Sequence, residues 1–280
     1  MSISRRAFLA STAALAAASA LPNLWAADSV AIPKIRVGSC GVSLDQAKQA
    51  GLDGVEIGVG GPADRLYIAD PKVRENYKRK MQETGLVISS FMMGLFNECP
   101  LASDPRGPAW LEQSIDAAKD LGAKVLLVAF FGKGSLLNGR TVKEKDVDVV
   151  VERLKAAAPR AKDAGVILGI ENTLSAKQNM QILERINNEA ARIYYDVGNL
   201  TNMGYDVSAE IRMLKDQIAI FHFKDGPNYL GQGKIKFPPI ADAIKAINYQ
   251  GWIVLETSNP SKDAVADAKR NATFIRDLFV

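Results

Sequence analysis

Short apolar runs and longer amphipathic segments alternate along this chain from Lys34 to its last residues. The run 125–131 is apolar throughout, which is typical of a parallel strand covered on both faces. The short runs predict strands at 34–40, 55–57, 86–91, 125–131, 166–170, 191–195, 218–223 and 252–255. The longer segments predict helices at 44–50, 71–83, 110–121, 142–164, 176–188, 208–215, 239–247 and 264–279.

Proline and glycine mark the ends of several of these helices. Pro71 suits a first helical turn, whereas Gly85, Gly122 and Gly165 stand where helices end. Eight strand-helix units in a chain of this length favour a closed (β/α)8 barrel over an open doubly wound sheet. We therefore predict an α/β fold with a single barrel domain over residues 28–280.

The first 27 residues carry a different pattern. Arg5 and Arg6 precede an alanine-rich apolar stretch and then Leu24-Trp25-Ala26-Ala27. A charged start, a short apolar region and small residues before a cleavage point are typical of a secretory signal, and the paired arginines indicate the twin-arginine route. The apolar stretch is too short and too rich in alanine for a stable membrane span. We predict a signal peptide at 1–27, export to the periplasm and no membrane span after processing.

Charge and cysteine content narrow the classes of partner. Loss of Arg5 and Arg6 with the signal lowers the formal net charge from +4 to +2, which leaves no basic field for nucleic acid. Cys40 and Cys99 define no disulfide framework, so free thiols are favoured over a bridge. The glycine-rich stretch 58–61 lacks the spacing of a dinucleotide or phosphate loop. The expected partner is a small molecule, bound by a monomer or a homo-oligomer.

Four predicted strands end in residues with metal-binding chemistry. Predicted strands five, six and eight are each followed directly by an acid, namely Glu171, Asp196 and Glu256. Strand seven contains His222, the only histidine of the chain. Their separations of 25, 26 and 34 residues each span about one strand-helix unit. A barrel would bring all four side chains to its C-terminal rim, where the active sites of this fold lie.

Three carboxylates and one imidazole suit one divalent cation with open positions for water or substrate oxygens. Mn²⁺ is favoured, ahead of Mg²⁺, Co²⁺ and Zn²⁺, because zinc more typically has more nitrogen or sulfur ligands. The alternative for any one of these acids is a structural role as a helix cap or in an ion pair. Four such residues on consecutive strands favour the metal site.

Six short segments make the chain similar to a known family. They are Gly54-Val55-Glu56, Glu171-Asn172, Asp196-Val197-Gly198-Asn199, His222-Phe223-Lys224-Asp225, Gly231-Gln232-Gly233, and Tyr249-Gln250-Gly251-Trp252 before Glu256. Over nearly all of residues 28–280 the chain resembles the xylose-isomerase-like sugar isomerases and epimerases, which include the D-tagatose and D-psicose 3-epimerases.

The resemblance implies that Glu171, Asp196, His222 and Glu256 hold one divalent metal. It also implies that Glu171 and Glu256 are the catalytic pair, which removes and returns a proton next to a sugar carbonyl, on opposite faces, through an enediolate. This chemistry is physically reasonable, since a cation near the developing oxyanion lowers the barrier and two carboxylates can act in turn as base and acid.

Four further residues are candidates for substrate contact. Asn199 stands where many of these epimerases carry histidine; it can hydrogen-bond a hydroxyl but cannot exchange a proton near neutral pH. Lys224 and Asp225 closely follow the histidine and suit either substrate binding or an ion pair at the rim. Glu56 could reach a substrate or serve as a structural hydrogen-bonding group.

The leading hypothesis is therefore an exported, metal-dependent isomerase or epimerase that acts on a small, unphosphorylated carbohydrate. Two alternatives stay open. One is a lyase that acts on 3-keto-glycosides through the same enediolate, and the other is a non-catalytic periplasmic sugar-binding protein.

Overall fold

Eight parallel strands form a closed barrel in the computed structural model, which describes residues 34–280. Each strand pairs with its neighbours in chain order, and the first strand closes the ring by pairing with both the second and the eighth. The strands are β1 (Ile35–Ser39), β2 (Gly54–Gly58), β3 (Val87–Met93), β4 (Val125–Ala129), β5 (Ile167–Glu171), β6 (Ala191–Asp196), β7 (Ile218–Phe223) and β8 (Gly251–Leu255). The predicted (β/α)8 barrel is confirmed, whereas the predicted signal peptide at 1–27 lies outside the described residues.

Helices follow the strands and pack against one another around the barrel. Within residues 34–280 they are α1 (Leu44–Ala50), α2 (Pro71–Thr84), α3 (Gly107–Leu121), α4 (Glu144–Ala164), α5 (Ala176–Ile186), α6 (Val197–Met203), α7 (Val207–Leu214), α8 (Phe237–Ala246) and α9 (Ala264–Leu278). Capping boxes at Ser43 and Ser175 begin α1 and α5. Gly51 and Gly165 end α1 and α4 with φ of 70° and 67°, a backbone conformation that glycine adopts without strain.

Alternate side chains of the strands form two apolar layers. Leu127 and Val254 belong to a buried cluster inside the barrel, whereas Leu126 and Val128 belong to the larger cluster between the strands and the helices. Both layers are closed to solvent, which explains why the parallel strands are apolar almost throughout. The packed interior leaves the rim as the place for chemistry.

Three features of the chain differ from the prediction. The short helix α6 follows β6 directly, and Leu137–Asn138 pairs with Thr141–Val142 in a small hairpin between β4 and α4. Neither segment is long enough to show a clear period in the sequence. Helix α3 also begins at Gly107, three residues before the predicted start, with Pro108 in its first turn.

Residues 34–280 also bear on two further predictions, which concern membrane-spanning helices and the state of the cysteines. Across residues 34–280, no helix combines the length and the apolar character needed to cross a bilayer. Cys40 and Cys99 are both free thiols, as the sequence favoured.

Candidate active site

Four strand ends bring their side chains together at the C-terminal rim of the barrel. Glu171 ends β5, Asp196 ends β6, and His222 lies opposite Asp196 in the pairing of β6 with β7. Glu256 follows β8 directly. One ligand atom from each residue lies within 4.8 Å of the other three. The structure thus places together the four residues that the sequence predicted as metal ligands.

The Nδ1 atom of His222 faces the three carboxylates. It lies 3.0 Å from Glu171 Oε1, 3.5 Å from Glu256 Oε2 and 4.0 Å from Asp196 Oδ2. His222, Glu171 and Asp196 are buried, whereas the Glu256 side chain is 35% exposed. A small molecule therefore has access to this cluster from the side of Glu256.

Asp196 uses its two carboxylate oxygens differently. Oδ1 accepts a hydrogen bond of 2.7 Å from the backbone N–H of Asn199 and so caps α6. Oδ2 is buried and has no hydrogen-bond donor among the described residues. The Lys224 ammonium lies 2.8 Å from Oδ2 and forms an ion pair with it. This positive charge offsets part of the cost of burying the oxygen, and a divalent cation would offset more of it.

Lys224 lies between two of the carboxylates. Its Nζ donates a hydrogen bond of 2.6 Å to Glu256 Oε2 in addition to the ion pair with Asp196. The Lys224 stem passes over Gly198, where an added Cβ would overlap Lys224 Cγ. Gly198 therefore leaves the space that Lys224 needs to reach the site.

The donor set fits a divalent cation. Three carboxylates and one imidazole nitrogen are a common ligand set for Mn²⁺ and related ions. Glu171, Asp196, His222 and Glu256 would hold the ion. The Lys224 ammonium already lies against two of these carboxylates, which shows that the cluster attracts positive charge.

The carboxyl groups have different proton affinities. Burial raises the pKa of Glu171 to about 7, against the opposing effect of His222. Burial also raises the pKa of Asp196, although Lys224 and His222 oppose the shift. Burial alone would raise the pKa of Glu256 too, but His222 and Lys224 hold that pKa below its ordinary value. A bound divalent cation would lower all three pKa values, because it favours the charged carboxylates.

The other nitrogen of His222 faces a second buried cluster. Nε2 lies 3.0 Å from Oε1 of Glu56 in β2, and Glu56 Oε2 accepts hydrogen bonds from Ser90 Oγ at 2.7 Å and Tyr194 OH at 2.8 Å. Burial alone would lower the pKa of His222, but Glu56 and Glu171 raise it well above its usual range. The Glu56 side chain has no exposed surface. Its position behind the histidine differs from the predicted substrate contact and fits the structural alternative.

Asp225 also differs from the predicted substrate contact. It is buried, and its carboxylate accepts hydrogen bonds from the backbone N–H groups of Gly231, Gly233 and Ile235 at 3.1, 2.8 and 3.2 Å. A Cβ at Gly233 would overlap this carboxylate. Asp225 therefore organises the loop that follows β7. Of the predicted substrate residues, Asn199 and Lys224 remain partly exposed at the rim.

Three cavities help to locate a substrate. One of about 350 Å³ lies beside the four-residue cluster, and its lining includes Gly198, Asn202, Lys224 and Lys234. Another of about 410 Å³ lies between β2, α1 and α2. A third, of about 280 Å³, lies at the opposite end of the barrel. None of these three cavities is lined by the four predicted ligands themselves, and the first is set apart by Lys224, which contacts Asp196 and Glu256. The cavity beside Lys224 is large enough for a small sugar.

Sequence reasoning missed two residues of the buried cluster and assigned no function to Cys40. Ser90 and Tyr194 were not predicted, although a pair of serines within the apolar strand β3 is an unusual feature. Cys40 Sγ lies close to Glu56 and His222. Burial raises the pKa of that thiol to about 12, so it stays protonated and is a poor metal ligand.

The comparison with protein families agrees with this geometry. The model of the family described as xylose isomerase-like TIM barrel matches residues 44–278. The chain belongs to this family. Its barrel, closed by β1 and β8, and the cluster at its C-terminal rim are thus features of a xylose isomerase-like protein.

Characterised relatives of this xylose isomerase-like protein are sugar epimerases. The 2-epi-5-epi-valiolone 7-phosphate 2-epimerase of Actinoplanes sp. strain SE50/110 is 27% identical over 187 residues, which cover 65% of this chain and 66% of that protein. The L-ribulose-5-phosphate 3-epimerase of Escherichia coli strain SMS-3-5 is 25% identical over 259 residues, which cover 83% of this chain and 87% of that protein. These relationships support the view that this chain is an enzyme.

Solved structures show the same fold. An L-ribulose 3-epimerase superposes with a TM-score of 0.74 at 23% identity, over 89% of this chain and 95% of the other. The 3-keto-D-glucoside 4-epimerase of Escherichia coli superposes with a TM-score of 0.72 at 18% identity, over 88% of this chain and 99% of the other. At such identities the superpositions describe the barrel and not the substrate.

Proposed function

We propose that this protein is an exported, divalent-metal-dependent sugar isomerase or epimerase that moves a proton next to a carbonyl group. The observation that carries the proposal is the convergence of Glu171, Asp196, His222 and Glu256 at the rim of a xylose isomerase-like barrel. Mn²⁺ is the favoured cation, ahead of Mg²⁺, Co²⁺ and Zn²⁺. The three carboxylates suit Mn²⁺ and Mg²⁺ better than Zn²⁺, and the imidazole nitrogen suits Mn²⁺ better than Mg²⁺.

Glu171 and Glu256 are the residues that exchange protons with the sugar. A divalent cation, when bound, would supply an electrophile for the oxygen on which negative charge develops. One glutamate accepts the proton from carbon to give an enediolate, and the other returns a proton, so that the configuration or the carbonyl position changes. The partly exposed Glu256 lies on the side from which a sugar enters.

Lys224 and Asn199 are the proposed substrate-binding residues. The Lys224 ammonium lies 2.6 Å from Glu256 Oε2 and lines the neighbouring cavity. It could therefore donate a hydrogen bond to a sugar oxygen next to the reacting carbon. Asn199 lies in the first turn of α6, where its backbone N–H donates to Asp196, and it offers a side-chain amide to a hydroxyl group.

The substrate class we propose is a small, unphosphorylated carbohydrate. The two relatives from Actinoplanes and Escherichia coli are named for phosphorylated substrates, so this chain would differ from them. The difference is supported by the twin-arginine pattern at Arg5 and Arg6, because sugar phosphates are chiefly cytoplasmic metabolites. The named relatives are epimerases, which favours this reaction over the lyase and over a sugar-binding protein.

Deuterium exchange would test the proposal. We expect Mn²⁺-loaded protein in deuterated water to place solvent deuterium next to the carbonyl of a free ketose or a 3-keto-glycoside, with formation of an epimer or isomer. Glu256→Gln and Glu171→Gln should each reduce the exchange by at least about 10²-fold. Glu210→Gln is the matched control, since Glu210 is buried and bonded to Tyr195 away from the site.

Two results would decide against an epimerase. Release of the aglycone from a 3-keto-glycoside without any ketose interconversion would indicate the lyase. Sugar binding without deuterium incorporation by the unmodified protein would indicate a binding protein.

A further inference from the structure

Glu56 contacts the single histidine on the side opposite the three carboxylates. We infer that Glu56 is a positioning residue that fixes His222 as the tautomer with its proton on Nε2, so that the Nδ1 lone pair is presented to the cation. The inference rests on the proposed metal site and assigns a role to a residue that touches neither metal nor substrate.

The hydrogen-bond partners of Glu56 determine where the proton lies. Oε2 accepts from Ser90 Oγ at 2.7 Å and from Tyr194 OH at 2.8 Å. Ser90 Oγ is the donor in the contact with Glu56, because an ionised carboxylate has no proton to give, and Ser89 Oγ donates to the Val55 carbonyl at 3.0 Å. Glu56 Oε1 then faces His222 Nε2 at 3.0 Å.

A carboxylate can only accept hydrogen bonds, so the proton between Glu56 and His222 lies on Nε2. The proton between Glu171 and His222 lies on Nδ1 by the same rule, and a cation that binds Nδ1 displaces that proton and leaves the one on Nε2. A neutral imidazole that carries its proton on Nε2 has its lone pair on Nδ1. Nδ1 is the atom that lies 3.0 Å from Glu171 and faces Asp196 and Glu256. Glu56 therefore holds the ligand atom in the protonation state that a cation requires.

Packing holds the imidazole ring in this orientation. The Tyr194 ring lies against His222 with the ring centroids 4.5 Å apart and a tilt of 55°. Glu56, Ser90, Tyr194 and His222 are all buried, so water does not compete for their hydrogen bonds. The carboxylate, the hydroxyl groups and the ring thus form one rigid support.

Glu56→Gln should alter this support while it keeps the shape of the side chain. The amide oxygen is the natural partner of the Ser90 and Tyr194 hydroxyl groups, which turns the amide N–H₂ toward His222 Nε2. Nδ1 would then carry the proton and could not bind a cation. We expect a loss of about 10- to 100-fold in Mg²⁺ or Zn²⁺ affinity.

The single histidine makes the tautomer directly measurable. With ¹⁵N-labelled histidine, the mature protein gives one Nδ1 and one Nε2 resonance, both from His222. In Zn²⁺-loaded protein we expect the proton on Nε2. At the same limiting Zn²⁺ concentration, Glu56→Gln should leave most of the protein without Zn²⁺ and with a proton on Nδ1, and Glu56→Met, which has no carboxylate acceptor, should remove the preference for one tautomer and weaken Zn²⁺ binding. Glu210→Gln is the control and should change neither the tautomer nor the affinity.

Several outcomes would overturn the inference. A proton on Nδ1 in the unmodified Zn²⁺-loaded protein would do so without any variant. Zn²⁺ affinity within about twofold of the unmodified protein in both Glu56→Gln and Glu56→Met would also do so, since a loss of 10- to 100-fold is expected. The tautomer and the Zn²⁺ affinity are measured without substrate. The inference about Glu56 can therefore be wrong while the proposed epimerase reaction is right, and the reverse. Only a protein that binds no divalent cation would end both proposals.

Discussion

Lys224 brings a positive charge to the carboxylates that we assign to the cation. Its Nζ lies 2.6 Å from Glu256 Oε2 and 2.8 Å from Asp196 Oδ2. Both neighbours are oxygens that a divalent ion would also use. Lys224 therefore competes with a metal for these oxygens and becomes available to a substrate once the metal holds them.

Replacement of Lys224 by methionine tests this competition. Because a unit charge about 4 Å away contributes roughly 4 kcal/mol at an effective dielectric constant of 20, Lys224→Met should increase Mn²⁺ affinity by at least about tenfold. Isothermal titration calorimetry would measure the change. The same variant should lower the rate of sugar deuteration if Lys224 contacts the substrate.

A matched control for this variant lies on the surface. Lys162 pairs with Glu189, and both side chains are mostly exposed, so Lys162→Met should leave Mn²⁺ affinity unchanged. Unchanged affinity in Lys224→Met would show that Lys224 does not compete for the metal oxygens.

The sequence allowed some of these residue roles to be predicted and not others. Glu171, Asp196, His222 and Glu256 could be predicted as a cluster because strand ends in a parallel barrel meet at one rim. The role of Glu56 depends on Ser90 and Tyr194, which reach it from other strands. Such tertiary partners leave no local pattern in the sequence.

The loop after β7 shows how one carboxylate can determine the shape of an element. Asp225 accepts three backbone hydrogen bonds from Gly231, Gly233 and Ile235. The loop also contributes Lys234 to the cavity beside the cluster. The conformation that Asp225 gives to this loop therefore helps to determine the shape of the proposed substrate site.

Asp225→Ala should destabilise the protein by about 2–3 kcal/mol, because three backbone N–H groups, among them that of the buried Ile235, lose a charged acceptor. Asp225→Asn keeps one oxygen and should cost less. Urea unfolding would measure both values. Asp242→Ala is the control on the exposed face of α8 and should stay within about 0.5 kcal/mol of the parent. Equal stability of Asp225→Ala and Asp242→Ala would contradict the assigned role.

At the start of α3, Asp104 makes a contribution to the stability of the fold that depends on pH. Asp104 forms two hydrogen bonds with the Arg106 guanidinium, of 3.0 and 2.7 Å, and a third with its backbone N–H. The hydrogen bonds from Arg106 lower the pKa of Asp104 to about 2. A pKa below the unfolded value means that Asp104 stabilises the fold above about pH 4 and loses that effect as the pH falls toward 2.

Asp104→Asn should therefore lower the free energy of unfolding at neutral pH, and it should lower it by a smaller amount at acidic pH. Since the Arg106 side chain is 38% exposed, we expect a difference of only about 1 kcal/mol at pH 7. The difference between parent and variant should shrink as unfolding is measured at pH 5, 4 and 3. A difference that is independent of pH would contradict an origin in the Asp104 charge.

Element boundaries show where sequence patterns lose precision. The observed α1 has the predicted bounds, because Ser43 and Gly51 mark both its ends. The seven residues of α6 are too few to show a helical period, and the N-cap that begins this helix, Asp196, is also a predicted metal ligand. The sequence pattern around Asp196 indicates metal binding and does not reveal that the same carboxylate also caps a helix.

At the scale of the molecule, the alternation of strands and helices was enough to predict the closed barrel. The predicted export rests on residues 1–27, and we keep it as a proposal. Replacement of Arg5 and Arg6 by lysine should block the twin-arginine route and leave the full-length chain in the cytoplasm. Cell fractionation with mass spectrometry of the N-terminus would measure this.

A control for the export experiment is Arg160→Lys, a change on the surface of α4. It should leave periplasmic protein with an N-terminus near residue 28. Full-length protein in the cytoplasm for the unmodified chain would contradict the predicted signal peptide.

Lys224 also bears on the order in which this protein folds and acquires its metal. Three carboxylates that face one another would repel and oppose closure of the barrel. The positive charge of Lys224, next to Asp196 and Glu256, offsets part of that repulsion from within the chain. Folding therefore does not have to wait for an ion. A barrel that travels through the twin-arginine route in folded form could take up its metal after arrival, from whatever supply its destination provides.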